Sequence, residues 1–134
     1  MDDLTNIMAE FVIVGEEFPI GEITKRLVIE PSEFYSKGDK VKNRNIYRKE
    51  TSWSISTGYE PSLDINTQLS KLIISLENKK QDLIDLKQTY KLDYKFCIVV
   101  RIEQNQSPSI YLDNNTISFA NEIQAEFDID LYIF

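Results

Sequence analysis

Two aspartates near the end of the chain are the residues that most resemble a catalytic or metal-binding pair. Asp128 and Asp130 are two positions apart in a segment that alternates acidic and apolar residues. A strand would place both on one face, with Cα atoms roughly 6.5–7 Å apart. Two such carboxylates could act as acid and base or bind a hard cation. Because no nucleophile or further ligand lies at a recognisable spacing, the polar face of an edge strand is the simpler interpretation.

Residues 37–49 concentrate the basic charge, which only Asp39 offsets, and aromatic residues flank this segment. Arginine and aromatic side chains are enriched at the centres of protein interfaces. The segment therefore predicts a partner-binding surface made of Tyr35, Lys37, Lys40, Lys42, Arg44, Tyr47, Arg48 and Trp53. The alternative is a solvated loop whose charge offsets nearby acidic strands, with Trp53 in the core.

The chain of 134 residues contains no histidine and one cysteine. The absence of histidine removes the commonest general base and metal ligand, and it excludes Ser-His and Cys-His catalysis. Zinc sites built on cysteine and histidine are excluded as well. Cys97 lies within an apolar strand, which favours a small buried residue over a reactive thiol. The sequence therefore indicates no catalytic, cofactor or metal site.

A formal net charge of −7 favours a basic protein partner and argues against binding to phosphate backbones. No apolar run approaches the ~20 residues that a membrane-spanning helix needs. The start Met1-Asp2-Asp3 lacks the basic and apolar regions of a secretory signal. A single cysteine fits a reducing compartment. We therefore expect a cytoplasmic protein with no membrane association.

The segment from Ser62 to Tyr90 carries leucines at helical spacing, so it predicts a helix that packs one apolar face on a sheet. Lys80 falls where an apolar residue is due, which favours two helices with a break near Asn78 over one long helix. Leu92–Glu103 then alternates with period two and is apolar on one face and half apolar on the other. This pattern predicts a central strand with both faces partly covered.

Shorter patterns complete the predicted fold. Strands are predicted at 8–15, 46–57, 109–113 and 128–134, and helices at 22–27 and near 114–127. The 109–113 strand is expected to form a hairpin with the strand before it. The sequence thus predicts one compact α+β domain over residues 1–134. It would have a single four- or five-stranded, mainly antiparallel sheet with two to three helices packed on one face.

A series of motifs along nearly the whole chain is similar to a bacterial domain of unknown function, family 4279. The matching residues are Phe18, Ile23–Leu27, Ile29–Ser32, Lys37–Asp39, Trp53–Ser56, Leu69, Leu72, Ile73, Leu76 and Asp128–Tyr132. The sequence departs from the expected pattern at Ile20–Glu22, where an acidic or proline-containing helix start is expected. The resemblance implies a small bacterial protein and no particular activity.

These observations favour a non-catalytic protein-binding module of immunity or regulatory type, acting as a monomer or a homodimer. One alternative is a carboxylate- or metal-dependent enzyme that uses Asp128 and Asp130. The other is a weak anion or nucleic-acid binder that uses the basic loop at 37–49.

Overall fold

Two long strands at the centre of the fold alternate fully buried and partly exposed side chains. β1 (Asn6–Gly15) and β5 (Asp93–Ile102) pair antiparallel along almost their whole lengths. The buried set belongs to the apolar core, and the other set faces away from it. The computed structural model describes residues 3–134, so the start Met1-Asp2 lies outside the described residues.

Four further strands extend this pair into one six-stranded sheet. They are β2 (Glu33–Tyr35), β3 (Thr51–Ser56), β4 (Glu60–Pro61) and β6 (Ala125–Ile133). The order across the sheet is β2-β3-β1-β5-β6, and β4 pairs with β1 beyond the end of β3. All neighbours are antiparallel except β5 and β6, which run parallel. The prediction that Leu92–Glu103 forms a central strand is therefore confirmed.

The predicted α+β class is confirmed, but the four- or five-stranded, mainly antiparallel sheet is wrong in detail because six strands form a mixed sheet. β2 has three residues and β4 two, which is too short for an alternating pattern to show. The parallel pair arises because a helix carries the chain from β5 back to the start of β6, and such a crossover makes strands parallel. The predicted strand at 109–113 is also wrong, since only a bridge between Asp64 and Ser109 forms there.

Three helical segments pack against the buried face of the sheet. They are α1 (Ile20–Leu27), a segment made of α2 (Ile65–Leu76), a 3-10 turn (Glu77–Lys79) and α3 (Lys80–Tyr90), and α4 (Asn114–Ile123). The break near Asn78 is thus confirmed. The Lys80 ammonium group donates a hydrogen bond to the Glu122 carboxylate. The helix start at Ile20–Glu22 forms although its sequence departs from the family pattern.

Aromatic residues fill the core between sheet and helices. The ring centroids of Phe11 and Phe96 are 5.0 Å apart, and those of Phe11 and Tyr94 are 5.4 Å apart. The Tyr94 hydroxyl donates to the Leu83 carbonyl at 2.6 Å, and burial raises the pKa of this phenol. Trp53 is completely buried and donates its indole N–H to the Thr24 hydroxyl at 3.1 Å. Among residues 3–134, no helix is both long and apolar enough to cross a membrane.

Candidate functional site

Within residues 3–134, no helix packs on the other face of the sheet, and we call it the open face, although Ser52 and Ser54 of β3 are buried there. Strand alternation places every second residue of β1, β3, β5 and β6 on it, and the register aligns them into rows. Its ionisable residues are predominantly acidic. Among the strand residues, the acidic members are Glu10, Glu33, Asp93, Glu126, Asp128 and Asp130, and the basic members are Lys95 and Arg101. Outside the strands, Glu50 lines a hollow of this face, and the Arg48 guanidinium lies over the ring of Tyr35, which lines another.

Two adjoining hollows lie on the open face. The larger has a volume of about 410 Å³ and is lined by Glu10, Val12, Val14, Glu50, Asp93, Lys95, Cys97 and Asp128. The smaller has a volume of about 200 Å³ and is lined by Glu10, Val12, Glu33, Phe34, Tyr35, Ser52 and Ser54. Glu10 and Val12 belong to both, so they form the ridge between the hollows. The open face therefore combines an apolar floor with carboxylates around it.

The Glu10 carboxyl group, which belongs to both hollows, is partly buried and lies near a second carboxylate. Partial burial raises its pKa above the ordinary value of 4.5, and the neighbouring Glu33 raises the pKa further. Both effects disfavour the charged form, since neither desolvation nor a like charge is compensated. A cation that entered either hollow would stabilise the charged form of Glu10.

Cys97 is half-buried on the floor of the larger hollow. Burial, followed by the negative charges of Glu10 and Asp128, raises its pKa to about 11. The thiol therefore remains protonated at neutral pH, and a protonated thiol is a poor nucleophile and a poor metal ligand. This arrangement does not support a catalytic cysteine.

Asp128 and Asp130 share the open face, as their spacing predicted. Asp128 lies beside Cys97 in the register of β5 and β6, and Asp130 lies beside Val99. Among residues 3–134, no three acidic or cysteine side chains come together as a set that could hold a metal ion. The pair is thus part of the acidic rim, and no third ligand supports the interpretation as a metal site.

The basic segment forms a hairpin between β2 and β3, which we call the basic hairpin (residues 37–49). Gly38 donates its N–H to the Arg48 carbonyl at 2.9 Å, and Arg48 donates to the Asp39 carbonyl at 2.7 Å. Further along, Val41 donates to the Ile46 carbonyl at 2.8 Å. The backbone is therefore ordered by paired hydrogen bonds where an irregular loop was expected.

The structure separates the residues predicted for the partner-binding surface. Lys40, Lys42, Arg44 and Tyr47 are exposed on the basic hairpin. Lys37 is bound to the Glu16 carboxylate at 3.0 Å, and the Arg48 guanidinium lies 3.9 Å above the Tyr35 ring. Trp53 was wrongly grouped with them, because its fully buried indole cannot reach a partner. A tryptophan in an alternating strand fits the apolar face, which is the alternative the sequence left open.

A family model for a domain of unknown function, DUF4279, matches residues 5–134. The chain belongs to the DUF4279 family. No curated protein and no solved structure matches it. The DUF4279 match spans both the open face and the basic hairpin, so both surfaces lie within the family domain.

Sequence reasoning missed the open face of this DUF4279 chain as a candidate site. Glu10, Asp93 and Lys95 come from two distant strands, and only the pairing of β1 with β5 brings them together. A signal was present in Glu10, which is a charged residue in the middle of an otherwise apolar strand. The half-apolar second face of β5 was predicted to be partly covered, but no helix of the described part of the chain, residues 3–134, packs on it.

Proposed function

We propose that this DUF4279 protein is a non-catalytic binding module, of regulatory or immunity type, whose open face binds a basic protein. The observation that carries the proposal is that the uncovered face of the sheet is predominantly acidic and contains two adjoining hollows. A helix-sheet domain normally leaves a polar surface on its solvent face. Here that surface also has concave volume and an apolar floor, which are properties of binding sites.

The hollows suit the long basic side chains of a protein partner. The stem of a lysine or arginine could pack on Val12 and Val14, and its charged head would then reach Glu10, Asp93 or Asp128. An arginine head would gain charge-assisted hydrogen bonds to these carboxylates. An apolar centre with a polar rim is also the usual composition of a protein interface.

The charge distribution supports the same partner chemistry. The net charge is −7 although the basic hairpin concentrates several cations, so the rest of the chain is more acidic than this total. An acidic surface attracts basic proteins over distances near the Debye length, which speeds association and makes its rate sensitive to salt. A basic partner would therefore approach the open face and be repelled by the basic hairpin.

The test is co-purification at moderate salt with two matched double variants. Glu10→Gln with Asp128→Asn removes two charges from the open face, whereas Glu22→Gln with Glu77→Gln removes two charges from α1 and the 3-10 turn. We expect a basic protein to be retained by wild type and by the helix variant, and to bind about tenfold more weakly to the face variant. Equal retention by both variants, or capture of acidic proteins alone, would contradict the proposal.

The basic hairpin supports a second candidate function, the binding of an anionic ligand. Within residues 3–134, no salt bridge involves Lys40, Lys42 or Arg44, and all three are exposed. A single-stranded RNA should then bind at low salt, and Lys40→Gln with Lys42→Gln and Arg44→Gln should abolish that binding. If wild type causes no shift of the RNA at low salt, this candidate is excluded.

A further inference from the structure

The sheet ends at β6, a strand of nine residues that pairs with β5 on one side only. Across residues 3–134, no other strand pairs with its outer side. The opposite edge of the sheet is β2, which has three residues and continues into the basic hairpin. The outer side of β6 is thus the long free edge of the sheet, and it adjoins the open face.

The backbone of β6 presents unpaired groups along this edge. Phe134 donates its N–H to the Ile102 carbonyl on the β5 side at 3.0 Å. Backbone groups alternate in direction along a strand, so those of Ile129, Leu131 and Ile133 point outward. Such a row of free N–H and C=O groups is a template for an added strand.

The side chains of β6 protect the edge mainly through negative charge. Natural edge strands are commonly blunted by charged side chains, by proline or by short length. β6 has nine residues and no proline, but it carries three carboxylates. Leu131 is 49% exposed and Ile133 is 74% exposed on the side of the sheet that carries the helices. On the open-face side, β6 carries Glu126, Asp128 and Asp130. An added strand would therefore meet apolar side chains on one side and carboxylates on the other.

This charge pattern decides between a second copy of the chain and a basic partner. If two copies paired β6 antiparallel about residue 129, Asp128 of one copy would face Asp130 of the other. Pairing about residue 128 or 130 would place that aspartate directly opposite the same residue of the second copy. Like charges directly across a pair of strands are destabilising. A strand with lysine or arginine at those positions would instead form cross-strand ion pairs.

We propose that β6 takes an extended segment of the basic partner as a seventh strand. In that segment lysine or arginine alternates with apolar residues. The proposal rests on the proposed function, because it assigns a binding geometry to the same partner. The lysines or arginines would lie beside Asp128 and Asp130 on the open face, and the apolar residues would pack beside Leu131 and Ile133 on the other face. The rest of the partner would then cover the hollows of the open face.

The test uses the full chain and a nine-residue peptide of alternating lysine and valine, with a glutamate-valine peptide as control. Amide hydrogen exchange followed by NMR gives a residue-by-residue measurement that needs no variant. On binding of the lysine peptide, we expect exchange at Ile129 and Leu131 to slow by about tenfold or more. Exchange at Asp128 and Asp130 should change little, because their N–H groups already face β5.

A matched pair of variants isolates the outward N–H group. Leu131→Pro and Leu131→Ala both remove the leucine side chain, but only proline removes the N–H. Proline is tolerated on an edge strand where the N–H faces solvent. We expect the protein with Leu131→Pro to bind the lysine peptide about tenfold more weakly than the protein with Leu131→Ala. A thermal melt of each variant checks that the fold is retained.

The outcomes separate this inference from the proposed function. If the basic protein binds through the open face but the lysine peptide leaves exchange at Ile129 and Leu131 unchanged, strand addition is overturned and the proposed function stands. If the glutamate peptide binds as well as the lysine peptide, the charge argument is overturned. If no basic protein or peptide binds at all, the proposed function fails, and strand addition fails with it.

Discussion

The two faces of the sheet are made by the same strands and have opposite properties. On β5, Phe96 is completely buried against the aromatic core, whereas its neighbour Cys97 is half-buried in an open hollow. On β1, Phe11 and Glu10 show the same contrast. The covered face holds the fold together through apolar packing, and the open face gathers charge that the fold does not need. If the open face binds the partner that we propose, stability and binding can be altered separately in adjacent residues.

The largest effect is expected for Phe96→Ala, and it is a loss of folding stability that the neighbouring change Cys97→Ala should not cause. Phe96 packs between Phe11 and Phe127, with ring centroids 5.0 and 5.4 Å away. Its truncation leaves a cavity, which should lower the free energy of unfolding by about 3–5 kcal/mol. Cys97→Ala should cost no more than about 1 kcal/mol. Chemical denaturation of both variants gives the comparison, and similar losses would show that the two faces are not distinct in the way described.

A smaller effect is expected for Trp53→Phe on β3. This change removes the indole N–H that is bound to Thr24 and shrinks a fully buried side chain. The free energy of unfolding should fall by about 1–3 kcal/mol. Tyr47→Phe on the exposed basic hairpin is the control and should change it by less than about 0.5 kcal/mol. If Trp53→Phe is as neutral as this control, the core position of Trp53 is contradicted.

Glu10→Gln should have a modest effect on stability with a defined pH dependence. Because burial and Glu33 raise the pKa of Glu10 in the folded state, wild type loses stability as pH rises from 4.5 through that raised value. Glutamine does not titrate, so the variant avoids this loss. The melting temperature of the variant relative to wild type should therefore increase between pH 4 and pH 7. A difference that stays constant or decreases would contradict the raised pKa of Glu10.

The smallest expected effect is a change in the reactivity of the Cys97 thiol when Asp128 is replaced. Its thiol pKa is about 11 partly because Glu10 and Asp128 are negatively charged. Asp128→Asn should lower that pKa and speed alkylation by iodoacetamide at pH 9, because the thiolate is the reactive form. Glu77→Gln on the 3-10 turn, which does not line the hollow, should leave the rate unchanged. The alkylation rate, measured as a function of pH for wild type and for both variants, gives the thiol pKa in each.

Much of this fold follows from periodicity, and the rest depends on contacts between distant segments. The leucine stripe of 62–90, its interruption at Lys80, the β-branched and aromatic run of β1 and the alternation of β5 and β6 are local patterns. They predicted the corresponding elements. β2 and β4 are too short to carry a period. The parallel pairing of β6 depends on where α4 packs, and no local sequence pattern predicts that position.

The candidate site was less predictable than the fold for a related reason. The basic hairpin is contiguous in sequence, so its charge was visible at once. The open face is assembled from β1, β3, β5 and β6, and its acidic character appears only when the register aligns Glu10 with Cys97 and Cys97 with Asp128. Which face the helices leave uncovered is likewise decided by packing.

Protection of Cys97 is the most direct test of binding on the open face. Cys97 is the only cysteine in the chain, so it reports on the larger hollow without interference. Iodoacetamide labelling is followed by mass spectrometry at pH 9, with and without a saturating amount of the basic protein recovered by co-purification. The account predicts that the bound protein slows alkylation of Cys97 several-fold. An unchanged alkylation rate with the partner demonstrably bound would contradict it.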